Sequence, residues 1–153
     1  MSGDRPRLVG MNHVALEVGD LEEALAWYAR VFEFTLRGRS PGMAFLDMGD
    51  QFLGLSEGRT QPPDDHRHVG VVVDDLAAAR RTLEEAGAEI LRGRGLSARD
   101  PWGNLLQIVE YADIQFTKTP EVLGALGLAG IEKSERARAE LREKGIAPPE
   151  PAA

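Results

Sequence analysis

Two histidines occupy the same place in two similar segments of the chain. Residues 12–21 align with residues 67–76, so that His13 corresponds to His68 at an offset of 55 residues. Imidazole nitrogens are good ligands for Fe, Co, Ni, Zn or Cu, and the repetition favours a shared role in holding a divalent metal. The alternative for each histidine is a polar residue that fills a cavity wall.

Both segments predict a β-strand followed by a capped helix. Their apolar residues alternate with small or polar ones, as in a strand, and each run ends at an aspartate that can cap a helix, Asp20 or Asp75. The predicted elements after these caps are helices over 21–32 and 76–86 and short strands over 33–36 and 88–91.

A hairpin completes each copy. Residues 45–57 align with residues 98–110, around turn residues at 49–50 and 101–104. Trp102 is an unusual residue for a hairpin tip and indicates contact with a partner subunit or a pocket mouth. The sequence thus predicts two β-α-β-β-β modules, over 7–57 and 66–112.

The predicted fold is α+β, with two tandem modules that form a curled mixed sheet around a cavity. Residues 1–115 form the paired modules, and residues 116–153 form a C-terminal extension with short helices over 122–128 and 134–144. The second helix has few apolar residues and is expected to pack lightly, across a dimer. The tail over 148–151 is rich in proline and is expected to be disordered.

Strand alternation separates a helix-facing side from a helix-free side. Val14, Leu16 and Val18 should face the helix, which turns His13 the other way. The same parity turns His68 and Gln107 away from the helices. If both helix-free faces line one cavity, these three side chains converge as metal ligands, although Gln107 could equally hydrogen-bond a ligand. Other predicted pocket residues are Glu17, Phe52, Gly54, Ser56, Leu105 and Val109.

Composition narrows the class of protein. The 153 residues are 42% hydrophobic and 28% charged, which is typical of a globular domain, and the net charge of −7 argues against nucleic acid as a partner. The absence of cysteine removes thiolate ligands and nucleophiles. The polar N-terminus predicts neither a signal peptide nor a membrane span, so a cytoplasmic location is expected.

The doubled His-Val strand and the closing run over 100–110, beginning Asp-Pro-Trp-Gly, resemble the vicinal oxygen chelate superfamily. This superfamily includes glyoxalase I, extradiol dioxygenases, methylmalonyl-CoA epimerase, fosfomycin-resistance enzymes and bleomycin-resistance binding proteins. The resemblance implies paired modules around a metal or ligand cavity, and a homodimer. It places the metal positions at His13, Gly54, His68 and Gln107.

Two of these four positions depart from the family pattern. Metal-dependent members usually carry glutamate where this chain has Gln107, and glyoxalase-like members have a ligand where it has Gly54. The departures count against an extradiol dioxygenase, whose iron site needs a carboxylate, and against glyoxalase I, which needs a general base. Glu17 shares the face of His13 and could act as a base, but a solvated carboxylate at the rim is the commoner case. The sequence identifies no catalytic residue.

Two functions stay open. In the first, the chain is a metal-dependent lyase, isomerase or dioxygenase, in which His13, His68, Gln107 and water hold Fe, Zn, Mn, Ni or Co. The metal would polarise a small substrate with vicinal oxygens. In the second, the chain uses no cofactor and binds or sequesters a small drug-like molecule, as bleomycin-resistance proteins do. The acidic net charge would favour a cationic ligand.

Overall fold

Two copies of one strand and helix order make up most of the protein. The computed structural model describes residues 5–147. The first copy comprises β1 (His13–Val18), α1 (Leu21–Val31), β2 (Leu36–Ser40), β3 (Met43–Asp47) and β4 (Phe52–Glu57). The second comprises β5 (His68–Val73), α2 (Leu76–Glu85), β6 (Glu89–Leu91), β7 (Leu96–Arg99) and β8 (Leu105–Glu110). A 3-10 turn (Tyr111–Asp113), α3 (Pro120–Ala125) and α4 (Glu135–Glu143) follow.

Each copy forms its own four-stranded mixed sheet. The strand orders are β1-β4-β3-β2 and β5-β8-β7-β6, and in each sheet the first and last strands of the copy run parallel. This confirms the predicted α+β fold of tandem modules. The sheets do not close on each other, so the single curled sheet expected from the sequence is instead two separate sheets.

One face of each sheet packs against a helix. Val18, Leu55, Leu106 and Ile108 are at most 1% exposed, whereas His13, His68 and Gln107, on the opposite parity, are exposed. The alternation predicted from the sequence is therefore present in both modules. It leaves the helix-free faces as the surfaces on which exposed polar side chains stand.

Both long helices begin at the predicted aspartates. The carboxylates of Asp20 and Asp75 each accept a 2.9 Å hydrogen bond from a backbone N–H of the first turn. A glutamate at the end of the last strand adds a second cap in each module. Glu57 accepts from Leu21 N, and Glu110 accepts from Leu76 N at 2.8 Å. Glu110 therefore lies on the helix side of its sheet, where one carboxylate oxygen caps α2.

Several predicted boundaries were wrong, those of 21–32, 76–86 and 88–91 by a single residue. The strand expected over 33–36 begins only at Leu36, because Phe34 packs against the core before the chain joins β3. The helix expected over 122–128 is Pro120–Ala125, and Thr119 caps it with Pro120 in the first turn, as those residue types predict. The helix expected over 134–144 is one residue shorter at each end, with Ser134 as its cap.

The C-terminal extension packs on its own chain. Ala137 and Leu141 of α4 are fully buried, so the expectation that this helix packs lightly was wrong, whereas its contact across a dimer stays a prediction. Lys133 is 7% exposed and donates from Nζ to the carbonyl of Tyr111 at 2.5 Å and to that of Phe116. This lysine anchors the segment that leads into α4. The proposed disordered tail over 148–151 lies outside the described residues.

A buried aspartate joins the two modules. Asp100, 4% exposed, accepts from the hydroxyl of Tyr28 in α1 at 2.7 Å and from the backbone N–H of Trp102 and of Asn104. The Asn104 amide donates to Asp100 and to the carbonyl of Glu17 in β1, both at 2.8 Å. One carboxylate and one amide thus hold the second hairpin against the first module.

The linker between the modules, residues 58–67, takes part in the same hydrogen-bond network. Arg59 donates to Asn104 Oδ1 at 2.6 Å and to the carbonyl of Pro62. Its Nη2 also lies 3.5 Å from Asp64 Oδ2, an ion-pair distance. Its side chain is only 4% exposed. The ring centroids of Trp102 and Trp27 lie 6.5 Å apart, edge to face, within the chain, and contact of half-buried Trp102 with a partner subunit or a pocket mouth stays a prediction. Within residues 5–147, no helix has the length and apolar character that crossing a membrane requires.

We predict that Asp100→Ala lowers the free energy of unfolding by about 3 kcal/mol, because it leaves buried donors on Tyr28 and Asn104 without an acceptor. Tyr28→Phe removes only one of these hydrogen bonds and should cost about 1 kcal/mol. Urea unfolding of the two variants and the wild type measures both values. A loss below 1 kcal/mol for Asp100→Ala would contradict the role given to this network.

Candidate functional site

His13 stands at the start of β1 with one ring nitrogen held. Its Nδ1 lies 2.7 Å from Asn12 Oδ1, and an amide oxygen can only accept a hydrogen bond. Nδ1 therefore carries the proton in the neutral ring, and Nε2 keeps a free lone pair. The ring also stacks on Phe52, with centroids 4.6 Å apart and planes 9° apart, which fixes its orientation.

His68 has the same arrangement at the start of β5. Its Nδ1 lies 2.8 Å from the backbone carbonyl of His66, which again can only accept. Metal-binding histidines in proteins typically donate their second ring nitrogen to an oxygen in this way, which fixes the tautomer and raises ligand basicity. Both predicted histidine ligands thus present Nε2 in the form that a metal needs. Neither Asn12 nor the His66 carbonyl was predicted as a hydrogen-bond partner of these rings, although Asn12 directly precedes His13.

Gln107 and His68 lie in one cleft. Gln107 pairs with Gly70, two residues along β5 from His68, and both side chains stand on the helix-free face. The cleft has a volume of about 320 Å³ and is lined by Asp65, His66, His68, Ser97, Leu105 and Gln107. His13 is not among its lining residues. The meeting of all three predicted ligands at one metal stays a prediction.

Glu17 and His68 line a second, smaller cleft between β1 and β5. This cleft, of about 160 Å³, includes Leu105 and the charged side chains of Arg59, Asp64 and Arg67. The hydrogen bond and charge of Asp64 raise the pKa of Arg67, and the charge of Glu17 adds to this shift. Two of the predicted pocket residues, Glu17 and Leu105, therefore lie beside His68.

The remaining predicted pocket residues are divided between the two sheets. Phe52, Gly54 and Ser56 pair with His13, Ala15 and Glu17, and so share their face of the first sheet. The Cβ of Ala15 would lie 3.5 Å from a Cβ added at Gly54, an ordinary contact distance. Val109 pairs with Val72 in the second sheet.

The three predicted metal ligands are all neutral. Among residues 5–147, no three His, Cys, Asp or Glu side chains are grouped so that they could hold a metal ion. A site built on His13 and His68 would therefore take its third protein ligand from the amide oxygen of Gln107. Two imidazoles and one amide suit a borderline transition metal, but they neutralise none of its charge.

Most of the chain matches one known superfamily. The model of the glyoxalase/bleomycin resistance protein/dioxygenase superfamily matches residues 10–108. The chain belongs to this superfamily. The match confirms the resemblance found in the repeat and in the Asp-Pro-Trp-Gly hairpin.

Curated relatives of this superfamily member are distant. It is 24% identical over 94 residues to the metallothiol transferase FosB of Bacillus licheniformis, a match that covers 58% of the chain and 61% of FosB, less than two thirds of that relative. It is 29% identical over 113 residues to the glutathione transferase FosA of Serratia marcescens, a match that covers 66% of this chain and 80% of FosA. A probable lactoylglutathione lyase of Vibrio cholerae is 24% identical over 121 residues, covering 64% and 88%.

Solved structures share the fold. The fosfomycin resistance protein FosX of Listeria monocytogenes, in complex with Mn(II) and sulfate, aligns with a TM-score of 0.60 at 15% identity. The alignment covers 78% of this superfamily member and 99% of FosX. FosX of Mesorhizobium loti aligns with a TM-score of 0.58 at 17% identity, covering 67% and 91%.

We predict that His13 and His68 are Nδ1–H tautomers at a pH where both rings are neutral. Two-dimensional ¹H–¹⁵N NMR of the ring nitrogens measures this directly. Asn12→Ala removes the acceptor beside His13, so it should shift His13 toward a tautomer mixture and leave His68 unchanged. An Nε2–H tautomer for either ring in the wild type would contradict this geometry.

Proposed function

We propose that this chain is a metal-dependent enzyme that acts on a small molecule with neighbouring oxygen atoms. His13 and His68, through Nε2, and Gln107, through its amide oxygen, would hold one divalent ion, with water in the other positions. The observation that carries this proposal is the repeated hydrogen bond from Nδ1 to an oxygen acceptor. The metal in a FosX complex and the name metallothiol transferase for FosB are consistent with it.

When bound, the metal would supply Lewis acidity toward the vicinal oxygens of the substrate. The residues of this chain determine what that site accepts. Neither the two imidazoles nor the Gln107 amide carries negative charge, so the site would keep its full positive charge and favour an anionic substrate. The same neutrality predicts modest metal affinity, since no carboxylate offsets the cost of dehydrating the ion.

A metal-free binding function is the second candidate. Among residues 5–147, no three His, Cys, Asp or Glu side chains are grouped to hold a metal, which supports it, as does Glu17 in the cleft beside His68. In this case Glu17 would face a cationic ligand, and Phe52 would offer an aromatic surface. The two functions differ in their metal dependence and in the charge of the molecule they bind.

We predict that the metal-free protein binds about one Mn(II), Zn(II) or Ni(II) ion per chain, and that His13→Ala and His68→Ala each weaken this binding at least tenfold. Gln107→Glu should tighten it about tenfold, because it adds a carboxylate to neutral ligands. Isothermal titration after chelator treatment measures all four proteins.

His66→Ala is the matched control, because its side chain lies in the same cleft as His68 while only its backbone carbonyl serves the proposed site. It should leave metal affinity unchanged. No metal binding by the wild type, or equal loss in His66→Ala, would contradict the metal proposal and favour the metal-free function.

We also propose that two copies associate through an N-terminal arm, defined as residues 5–12. Leu8 and Val9 are almost fully exposed, at 102% and 96%, and Met11 is 63% exposed. The arm contains Arg5 and Arg7 and no acidic residue, whereas the whole chain carries a net charge of −7. A basic, apolar arm complements the acidic surface of a second copy, where its apolar side chains would leave water.

We predict that the wild type is a homodimer and that the double variant Leu8→Asp, Val9→Asp raises its dissociation constant at least tenfold. Sedimentation equilibrium measures this constant. Ile146→Asp is the control, because Ile146 is an apolar residue, 58% exposed, at the other end of the described chain. A monomeric wild type, or a double variant that dimerises equally well, would refute the role of the arm.

A further inference from the structure

A bulge in the first sheet directs one arginine away from the regular pairing. Leu36 pairs with Leu46, but the next pair is Gly38 with Phe45, so Arg37 has no partner on β3. An extra residue of this kind bends a strand and re-aims its side chain, and bulges are frequent beside active sites. Arg37 is thereby turned out of the regular alternation of β2.

The re-aimed side chain reaches the residue that orients His13. The guanidinium carbon of Arg37 lies 4.6 Å from the centroid of the Phe52 ring, a cation–π distance. Phe52 in turn stacks on His13 and meets Phe45 edge to face at 5.4 Å. Arg37, Phe52 and His13 therefore form a continuous contact chain, which we call the arginine platform.

Arg37 has no anionic partner within the described part of the chain. Its guanidinium makes no ion pair and no hydrogen bond there, and the residue is exposed. Asp47 pairs with Phe52 and shares its face, but its carboxylate accepts from Gly49 N in the hairpin turn. By contrast, Arg39 of the same strand pairs with Glu22. The platform thus holds a fixed cation whose donors are free.

We propose that the arginine platform binds an oxyanion group of the substrate, a carboxylate or a phosphate, next to His13. A guanidinium presents parallel N–H donors that match two oxygens of such a group. Contact with Phe52 orders the long side chain before binding, which lowers the entropy cost of using it. The site assignment rests on the proposed function, because His13 is the residue that links the platform to the metal.

NMR titration of the chelator-treated protein with inorganic phosphate and with acetate tests this proposal. We expect wild type to bind at least one of these anions and Arg37→Met to weaken that binding about tenfold, since it removes charged hydrogen bonds. Arg37→Lys keeps the charge but loses the paired donors, so its anion affinity should lie between those of the wild type and Arg37→Met. The preferred anion identifies the group as a carboxylate or a phosphate.

Arg39→Met is the matched control, because Arg39 lies two residues away on the same strand and is already paired with Glu22. It should leave anion affinity within about twofold of wild type. No anion binding by the wild type, or equal affinity in Arg37→Met, would overturn the proposal. Because these titrations contain no metal, loss of metal binding with intact anion binding would refute only the proposed metal site, and the reverse result would refute only the platform.

Discussion

The position of the two modules relative to each other depends on the buried carboxylate of Asp100. It accepts hydrogen bonds from α1 of the first module and from its own hairpin, and Asn104 extends the connection to β1 and to Arg59 of the linker. A buried charge is tolerated because its oxygens have several donors, and removal of it would leave those donors unpaired. The same contacts set β1 and β5 on the two sides of a cleft that Glu17 and His68 line.

This connection leaves the helix-free faces open, and the candidate chemistry stands on them. Each histidine begins an edge-of-sheet strand, and each is held in one tautomer by a nearby oxygen, from a side chain in one copy and from the backbone in the other. The proposed ligands are neutral, and the arginine platform adds a cation beside His13. The neutral ligands and this cation favour an anionic molecule beside His13, whereas Glu17 in the cleft beside His68 favours a cationic one.

The sequence predicted the repeat, the strand faces and the aspartate caps, because these follow from local periodicity and capping chemistry. It did not predict the second caps, although Glu57 and Glu110 occupy equivalent positions in the aligned hairpins. The contact between Trp102 and Trp27 of the other module was not predicted, because local sequence does not show which residues of the two modules meet. Arg37 could not be found in advance, since the bulge depends on strand pairing that no short motif specifies.

The central claim is that His13 and His68 bind the same ion. A double-mutant cycle on metal affinity tests it most directly, with wild type, His13→Ala, His68→Ala and the combined variant titrated under identical conditions. If both rings ligate one ion, each single substitution removes most of the affinity, and the double variant is much less impaired than the product of the two single effects. Two fully independent losses would contradict a shared site, as would unchanged affinity in either single variant.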